Sequence, residues 1–263
     1  MRNFKRLIQA LLLAACIATP IAASAQTIND IVGRGKVRIG VLIGAPPYGM
    51  IDATGNPIGY DADVAKLVGK YLNLPVELVP LTPPSRIPAL EAGKVDFLVA
   101  TLAPTAERAK AEMFTMPYSA FLMYIYAKKG TPIKAWADLK GMKVGVNRGS
   151  SVEPTLVEHQ SDGLTVVCFE DDSTTMQALF SGQVDAVAEP DAQANAAMKA
   201  RGDSDMEPKF MFSKQPNSMT VRKDAYELHQ WLNNAIYLMK LNGDLDAICR
   251  KWVGSPLPEL PVF

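Results

Sequence analysis

The chain has 263 residues, of which 48% are hydrophobic and 21% are charged. This composition excludes a disordered chain, a collagen-like repeat and a polytopic membrane protein. The 27 basic and 27 acidic side chains balance, so there is no basic field for a polyanion and a nucleic-acid partner is not expected. Beyond the N-terminal segment, the length suffices for one large domain or for two of about 120 residues.

The N-terminus has the three parts of a secretory signal. Basic residues among the first six precede an apolar run at 7–18, and Ala23-Ser24-Ala25 supplies the small residues of a cleavage site before Gln26. We therefore expect residues 1–25 to be a signal peptide that exports the rest of the chain. The alternative is a lipoprotein, because Leu13-Ala14-Ala15-Cys16 resembles a lipobox with Cys16 as the lipidated residue.

The first half of the mature chain alternates between strand and helix patterns. Apolar, β-branched runs predict strands at 37–43, 76–79 and 95–100. Between the first two strands lies a helical stripe, for which we expect Asp61 or Asp63 to be the N-cap. Ser85 is expected to cap a second helix with Pro88 in its first turn. This alternation predicts a parallel sheet with helices on its faces.

The second half repeats this pattern. Strands are expected at 143–146 and 164–169, a helix should open at Ser150 or Ser151, and another should cover 173–180. Residues 178–185 also match residues 89–96 at five of eight positions. We infer two α/β lobes of similar design, with the ligand between them, because such sheets bind ligands at the carboxyl ends of their strands.

Two extended stretches, at 118–126 and 213–221, flank the second lobe, and two helical stripes follow the latter. If those C-terminal helices return to the first lobe, the chain crosses between the lobes twice, as a hinge requires. The predicted boundaries are lobe 1 at 26–118 plus 218–263, lobe 2 at 122–213, and crossovers at 118–122 and 213–218. The two cysteines of the mature chain, Cys168 and Cys249, are expected to be buried thiols, and no spacing of Cys or His predicts a metal site.

Several short motifs, in their order and spacing, carry a family resemblance over residues 31–254. They are Pro46-Pro47-Tyr48, Gly59-Tyr60-Asp61-Ala62-Asp63, Ile87-Pro88-Ala89-Leu90, Gly93-Lys94-Val95-Asp96, Thr105-Ala106-Glu107-Arg108, Met116-Pro117-Tyr118, Asp138-Leu139-Lys140-Gly141, Gly182-Gln183-Val184-Asp185 and Lys251-Trp252-Val253-Gly254. With them the chain resembles the extracellular solute-binding proteins of ABC importers, in the family of polar amino-acid receptors.

The resemblance implies an α/β fold of type II, in which two mostly parallel sheets flanked by helices are joined by two hinge strands. It implies a monomeric periplasmic receptor that closes on a small carboxylate-bearing solute, an amino acid or an analogue, and delivers it to a membrane permease. No cofactor and no catalysis are expected.

The resemblance also assigns site residues. Arg108 should clamp the ligand carboxylate, for which a guanidinium offers a planar fork of two donors. Asn147, Ser150 and Ser151 should lie where lobe 2 offers backbone N–H groups to the ligand. These groups belong to a helix N-terminus, which also favours a carboxylate. Tyr48 is either a wall of the ligand site or a packing residue.

The half of the site that should bind an α-ammonium group departs from the family. Pro190 stands where an Asp is expected, and Ala103 stands where a hydroxyl is expected, although Thr101 is close by. Either Glu189 or Asp191 restores the negative charge, or the ligand is an organic acid without a standard α-amino group, because burying an unpaired ammonium costs several kcal/mol.

Two questions about this site stay open in the sequence. The other expected lining residues are uncharged, which favours an uncharged ligand side chain unless Arg86 or Arg148 enters the cleft. A cyclohexadienyl or arogenate dehydratase is the alternative function, although Asp191-Ala192-Gln193 lacks a Glu where its general acid would lie. A sensor domain of a larger receptor is not expected, because no membrane span follows.

Overall fold

The computed structural model describes residues 27–202 and 205–260, which form an α/β protein of two lobes. The predicted signal segment, including Cys16, lies outside the described residues. The helices are α1 (Ile28–Arg34), α2 (Tyr60–Leu72), α3 (Arg86–Glu91), α4 (Glu153–Glu158), α5 (Asp172–Phe180), α6 (Asp191–Arg201), α7 (Tyr226–Leu241) and α8 (Asp244–Trp252). The strands are β1 (Val37–Leu42), β2 (Met50–Ile51), β3 (Pro57–Ile58), β4 (Val76–Leu81), β5 (Phe97–Leu102), β6 (Glu112–Lys128), β7 (Lys143–Asn147), β8 (Thr165–Phe169), β9 (Ala186–Pro190) and β10 (Met206–Arg222).

Eight of these strands form one sheet in the order β4-β1-β5-β10-β6-β9-β7-β8. In lobe 1, β1 runs parallel to both β4 and β5; in lobe 2, β7 runs parallel to both β8 and β9. The predicted α/β fold of two lobes, each with parallel strands flanked by helices, is therefore confirmed, although the strands of both lobes belong to one continuous sheet. Within the described ranges, no helix has both the length and the apolar character that crossing a bilayer requires.

The two central strands, β6 and β10, join the lobes. Each has 17 residues and so spans about 55 Å, and they are antiparallel to each other. At one end β10 pairs with β5 of lobe 1 through Ser218 and Thr220, and at the other β6 pairs with β9 of lobe 2 from Met123 to Ala127. The two extended stretches predicted from the sequence lie within these longer strands, and the predicted lobe boundaries stay a prediction.

Apolar clusters pack on the sheet in both lobes, and one of them continues from lobe 1 into lobe 2. On α2, Val64 and Val68 are one turn apart and fully buried in the cluster that also holds Phe97 of β5. On α5 of lobe 2, Met176 and Leu179 are buried in another cluster with Val187, Tyr126 and Met206. The helical stripes predicted from the sequence are thus the faces that pack on the sheets.

The C-terminal helices return to lobe 1, as the predicted double crossing requires. Asp63 of α2 accepts hydrogen bonds from Trp252 Nε1 at 2.7 Å and from Lys251 Nζ at 2.6 Å, both on α8. Tyr71 donates its hydroxyl to Asp244 of the same helix at 2.9 Å. These contacts between α2 and α8 fix the end of the described chain to its first lobe.

The expected N-cap of α2 is wrong. The helix begins at Tyr60 with Gly59 as its N-cap, and no side chain caps it. Asp61 lies inside the first turn, fully buried, where it accepts a hydrogen bond from the hydroxyl of Tyr118 at 2.8 Å. Asp63 is occupied by the contacts with α8. Both carboxylates therefore serve tertiary contacts instead of capping.

The two cysteines of the described chain are unbridged. Cys249 is buried and Cys168 is partly exposed, with its thiol 3.3 Å from a carboxylate oxygen of Glu153. Burial raises the pKa of both thiols, to about 11 for Cys249, so both are protonated at neutral pH.

Candidate functional site

A cleft lies between the lobes, at the carboxyl ends of β1, β5, β7 and β9, where the sequence places the ligand. It encloses about 460 Å³ of empty space, part of which is open to solvent. Its lining residues are Leu42, Pro83, Arg86, Thr101, Ala103, Arg108, Phe121, Met123, Asn147, Ser150, Ser151, Val152, Asp172, Ala188, Pro190, Gln193 and Gln215. Three of these side chains carry a charge, and they lie on opposite lobes: two arginines on lobe 1 and one aspartate on lobe 2.

The two arginines form the cationic side of the cleft. Arg108 donates from Nη1 to the carbonyl of Ala103 and from Nη2 to the carbonyl of Gly149, each at 2.9 Å. Arg86 donates from Nε to the carbonyl of Pro83 at 2.9 Å and from Nη2 to Gly149 at 3.1 Å. All these acceptors are neutral, and neither arginine forms an ion pair with an acidic residue in the described part of the chain.

Burial perturbs both guanidinium groups. It lowers the pKa of Arg86 to about 10, with a further contribution from the positive charge of Arg108, and it also lowers the pKa of Arg108. Both stay protonated at neutral pH. One buried and one half-buried cation, held only by carbonyls, favour an anion, and the hydrogen bonds of Arg108 use two of its five N–H groups. The remaining donors can bind a carboxylate.

The acidic side of the cleft is a pair of carboxyl groups, Asp172 and Glu189. Asp172 lies in the first turn of α5 and lines the cleft with 4% of its surface exposed. Glu189 is fully buried on β9, close to the side chains of Asp172 and Thr175. Burial, and then the negative charge of Asp172, raises the pKa of Glu189 well above its usual range. Burial also raises the pKa of Asp172, opposed by hydrogen bonds from Glu189 and Asn147 and by the charge of Arg86.

A hydrogen bond between two carboxyl groups requires a proton on one of them. Because the pKa of Glu189 is raised by both burial and its neighbour, we assign the proton to Glu189 at neutral pH, which leaves one negative charge on Asp172. The pair therefore has a net charge of about −1 where it meets the cleft.

Six of the predicted site residues line the cleft. They are Thr101, Ala103, Arg108, Asn147, Ser150 and Ser151. Thr101 has a left-handed backbone with a φ of 46°, and its N–H donates to the hydroxyl of Tyr118 at 2.8 Å. That hydroxyl in turn donates to buried Asp61, so a chain of hydrogen bonds fixes the backbone at the edge of the cleft.

The Ser150–Ser151 turn differs from the expected helix N-terminus. The helix that follows it, α4, begins only at Glu153 and has six residues. Glu153 accepts a hydrogen bond from the N–H of Gly149 at 2.7 Å, and the N–H of Ser150 donates to the carbonyl of Asn147 at 3.2 Å. Ser150 accepts from the N–H of Glu153, and Ser151 donates to Gln215. Two N–H groups of the turn are therefore already used inside lobe 2.

The structure does not bring Tyr48, Glu189 and Asp191 to the surface of the cleft. Tyr48 is packed in the core, with its ring 4.7 Å from that of Phe121, which itself lines the cleft. Asp191 accepts a hydrogen bond from the N–H of Leu122 at 3.2 Å, and Glu189 lies behind Asp172. Of the two arginines considered from the sequence, Arg86 enters the cleft and Arg148 is exposed outside it.

Sequence reasoning missed Asp172. The only local signal was an acidic pair, Asp171-Asp172, at the junction between a predicted strand and a predicted helix, and the first of the two is the N-cap. In the sequence, Gln193 in the first turn of α6 was considered only because its segment lacks the Glu that a dehydratase would use as its general acid. It is 3% exposed and lines the cleft beside Asp172.

The lobes are in contact across the cleft, so the structure shows the closed arrangement. Besides the bonds to Gly149, the N–H of Ser173 donates to the carbonyl of Gly44 at 2.9 Å, and Thr82 donates to Glu170 at 3.0 Å. Both glycines have a positive φ, 75° for Gly44 and 70° for Gly149. A Cβ at Gly44 would lie 2.5 Å from Oδ2 of Asp171, and a Cβ at Gly149 would lie 3.0 Å from the Cα of Pro84. Closure therefore depends on the absence of a side chain at both.

Comparisons with known proteins agree with this geometry. A profile of the bacterial extracellular solute-binding proteins, family 3, matches residues 37–255. The chain is similar to the L-cystine-binding protein TcyJ of Escherichia coli K12, with 28% identity over 254 residues, 96% of this chain and 95% of that protein.

Solved structures give the same result. An ancestral arginine-binding protein bound to arginine matches with a TM-score of 0.79 and 38% identity, over 83% of this chain and 98% of that one. An ancestral amino acid-binding protein, AncCDT-1, described as a precursor of cyclohexadienyl dehydratase, matches with a TM-score of 0.78 and 31% identity, over 86% and 98%.

Proposed function

Because the chain belongs to the bacterial extracellular solute-binding proteins, family 3, we propose that it is the receptor of an ABC importer that captures a carboxylate-bearing solute, an amino acid or a close analogue. One observation carries the proposal: half-buried Arg108 and buried Arg86 face the cleft as cations without an acidic ion-pair partner among the described residues. Two of the relatives described above bind L-cystine and arginine, which are both α-amino acids.

The mechanism we propose is closure of the lobes over the bound head group. Arg108 binds the ligand carboxylate on lobe 1, and the approach of lobe 2 brings the carbonyl of Gly149 to both guanidinium groups. The cross-lobe bonds form only in the closed state, so they shift the equilibrium towards it. The closed form is then the one presented to a membrane permease.

The lining supports a ligand with an uncharged side chain. Apart from the two arginines and Asp172, the residues that line the cleft are neutral. The apolar ones include Leu42, Phe121 and Met123, and the neutral polar ones include Gln193 and Gln215. If the charged groups are used by the head group, no charged partner is left in the described lining for a cationic or acidic side chain.

Titration calorimetry with the Arg108→Ala variant tests the proposal. The ligand is first found in a thermal-shift screen of amino acids and organic acids on the mature protein, since a ligand that binds only the native state raises the melting temperature. We expect Arg108→Ala to lose at least about 2 kcal/mol of binding free energy, because it removes one partner of a desolvated ion pair. The control is Arg148→Ala, which removes an exposed arginine just outside the cleft and should bind with unchanged affinity. Equal affinities of the two variants would place the carboxylate elsewhere.

A dehydratase on this fold is the alternative. It is supported by the likeness to a dehydratase precursor and by the proton held between Asp172 and Glu189, since a general acid must hold a proton near the leaving group. Against it, Gln193 has no titratable proton and Asp191 bonds to Leu122 outside the cleft. We infer that the protein is not an enzyme. Incubation with prephenate and with arogenate should give no product, and any turnover that needs Glu189 would contradict this.

We further infer that the protein is exported to the periplasm, where it works as a monomer and does not bind nucleic acid. Support for export is the pattern of residues 1–25 and the extracellular character of the family. Mass spectrometry of the protein secreted by a bacterial host should find Gln26 as the first residue. A lipid-modified N-terminus at Cys16 would favour the alternative anchor, and light scattering tests the monomer.

A further inference from the structure

We propose that Asp172, on the first turn of α5, accepts the α-ammonium group of the ligand, so that the substrates are zwitterionic amino acids. The inference rests on the proposed function, in which Arg108 binds the carboxylate. It differs from both sequence-based alternatives, since it needs neither Glu189 nor Asp191 at the cleft surface, and it excludes an organic acid without an amino group as the preferred ligand.

The first argument is the position of the charge. Pro190, where the family places an acidic residue, lines the cleft without a charge. Among the described residues that line this cleft, Asp172 is the acidic one. No cation within residues 27–202 and 205–260 forms an ion pair with Asp172, although only 4% of its surface is exposed. A buried carboxylate without a cation is destabilising, and a ligand ammonium supplies the missing partner.

The second argument is an acceptor that has no donor. Gln193, on α6, is 3% exposed and lines the same cleft, and its Oε1 atom receives no hydrogen bond from the described residues. An unpaired buried acceptor is unfavourable unless a ligand donates to it. An ammonium group has three N–H donors, and the carboxylate of Asp172 with Oε1 of Gln193 offers acceptors for them.

The third argument is the charge of the surroundings. Glu189 shares a proton with Asp172, so the pair has one negative charge instead of two. The other charged groups near the pair are Asp171, the N-cap of α5, and Arg86 across the cleft. With Arg108 beyond Arg86, the cleft has a positive side on lobe 1 and a negative side on lobe 2. A zwitterion fits this polarity, and a simple carboxylate would leave Asp172 unpaired.

Calorimetry with matched ligand pairs tests the inference. The probes are the twenty protein L-amino acids and L-cystine, each paired with the carboxylic acid that lacks only its α-amino group, such as glutaramate for L-glutamine. We expect wild-type protein to prefer the amino acid of its tightest pair by at least about 100-fold. Asp172→Asn should lose about 30-fold or more for the amino acid and reduce this preference to about fivefold or less. The control is Glu158→Gln, which removes an exposed negative charge from lobe 2 and should keep both values.

A second variant keeps the test independent of the folding of Asp172→Asn. Gln193→Met removes the unpaired acceptor at similar volume and should weaken the amino acid about tenfold, with no loss for its desamino acid. Wild-type protein that binds both members of a pair equally, or an Asp172→Asn variant that is folded by circular dichroism and keeps its preference, would overturn the inference while the carboxylate receptor stands. Binding of neither class by wild-type protein would overturn the proposed function and this inference with it.

Discussion

Gly149 offers a substitution whose effects on folding and on closure can be separated. Its φ of 70° lies in the left-handed region, where alanine costs about 1 kcal/mol relative to glycine. This cost is local to lobe 2, so it lowers the stability of the open and the closed form alike. A Cβ at this position would also lie 3.0 Å from the Cα of Pro84 and 3.4 Å from the carbonyl oxygen of Pro83, both on lobe 1. That second effect exists only when the lobes are closed.

The size of the closed-state effect follows from the geometry. Carbon atoms pack at about 3.5–4.0 Å, so the new methyl group is too close to Pro84 by about 0.5–1 Å. Overpacking of this kind costs about 1–3 kcal/mol. Because the ligand is held by the closed form, Gly149→Ala should lose about 5- to 150-fold in affinity.

The matched control is Gly141→Ala. Gly141 lies in the same lobe with a φ of 79°, and a Cβ there would have no atom within 4 Å. Both variants should lose about 1 kcal/mol of unfolding free energy in urea titrations, but Gly141→Ala should keep its affinity in calorimetry. If the two variants bind with the same affinity, the contact of Gly149 with lobe 1 does not belong to the ligand-bound state, and the proposed closure is refuted.

Two further predictions concern buried polar groups. Burial and the charge of Asp172 raise the folded-state pKa of Glu189, so its contribution to stability is full below its unfolded pKa and is lost as pH rises through the folded value. Glu189→Gln should therefore raise the melting temperature more at pH 8 than at pH 5, and a larger gain at pH 5 would contradict the shared proton. Trp252→Phe removes the bond to Asp63 between α8 and α2 and should lower the unfolding free energy by about 1–3 kcal/mol in urea, whereas a loss of affinity instead would link these helices to the cleft.

The sequence predicted the fold well because its signals are local. The alternation of strand and helix patterns and the glycines and prolines between them are read within a few residues of each other. The central strands were predicted too short because β6 and β10 contain Pro117 and Pro208, which interrupt a strand pattern. In the structure, register shifts between the two strands lie near these prolines, and the pairing continues beyond them.

The site was predictable only where strand ends determine it. Thr101 and Asn147 lie at the ends of β5 and β7, and their place in the cleft follows from the parallel sheet. The acidic pair depends on contacts that are distant in sequence. Asp172 meets Glu189 only because β7 pairs with β9 and α5 packs against both, and a carboxylate beside a helix start otherwise indicates a cap. For Tyr48, the direction of the side chain depends on the packing of Phe121, which no local pattern encodes.

A crystal structure with the tightest-binding amino acid tests the central claim most directly. The account predicts that the ligand carboxylate lies at hydrogen-bond distance, about 2.7–3.2 Å, from the guanidinium nitrogens of Arg108, and that its ammonium nitrogen lies equally close to the carboxylate of Asp172. A head group bound away from Arg108, with that guanidinium still paired only with backbone carbonyls, would contradict it.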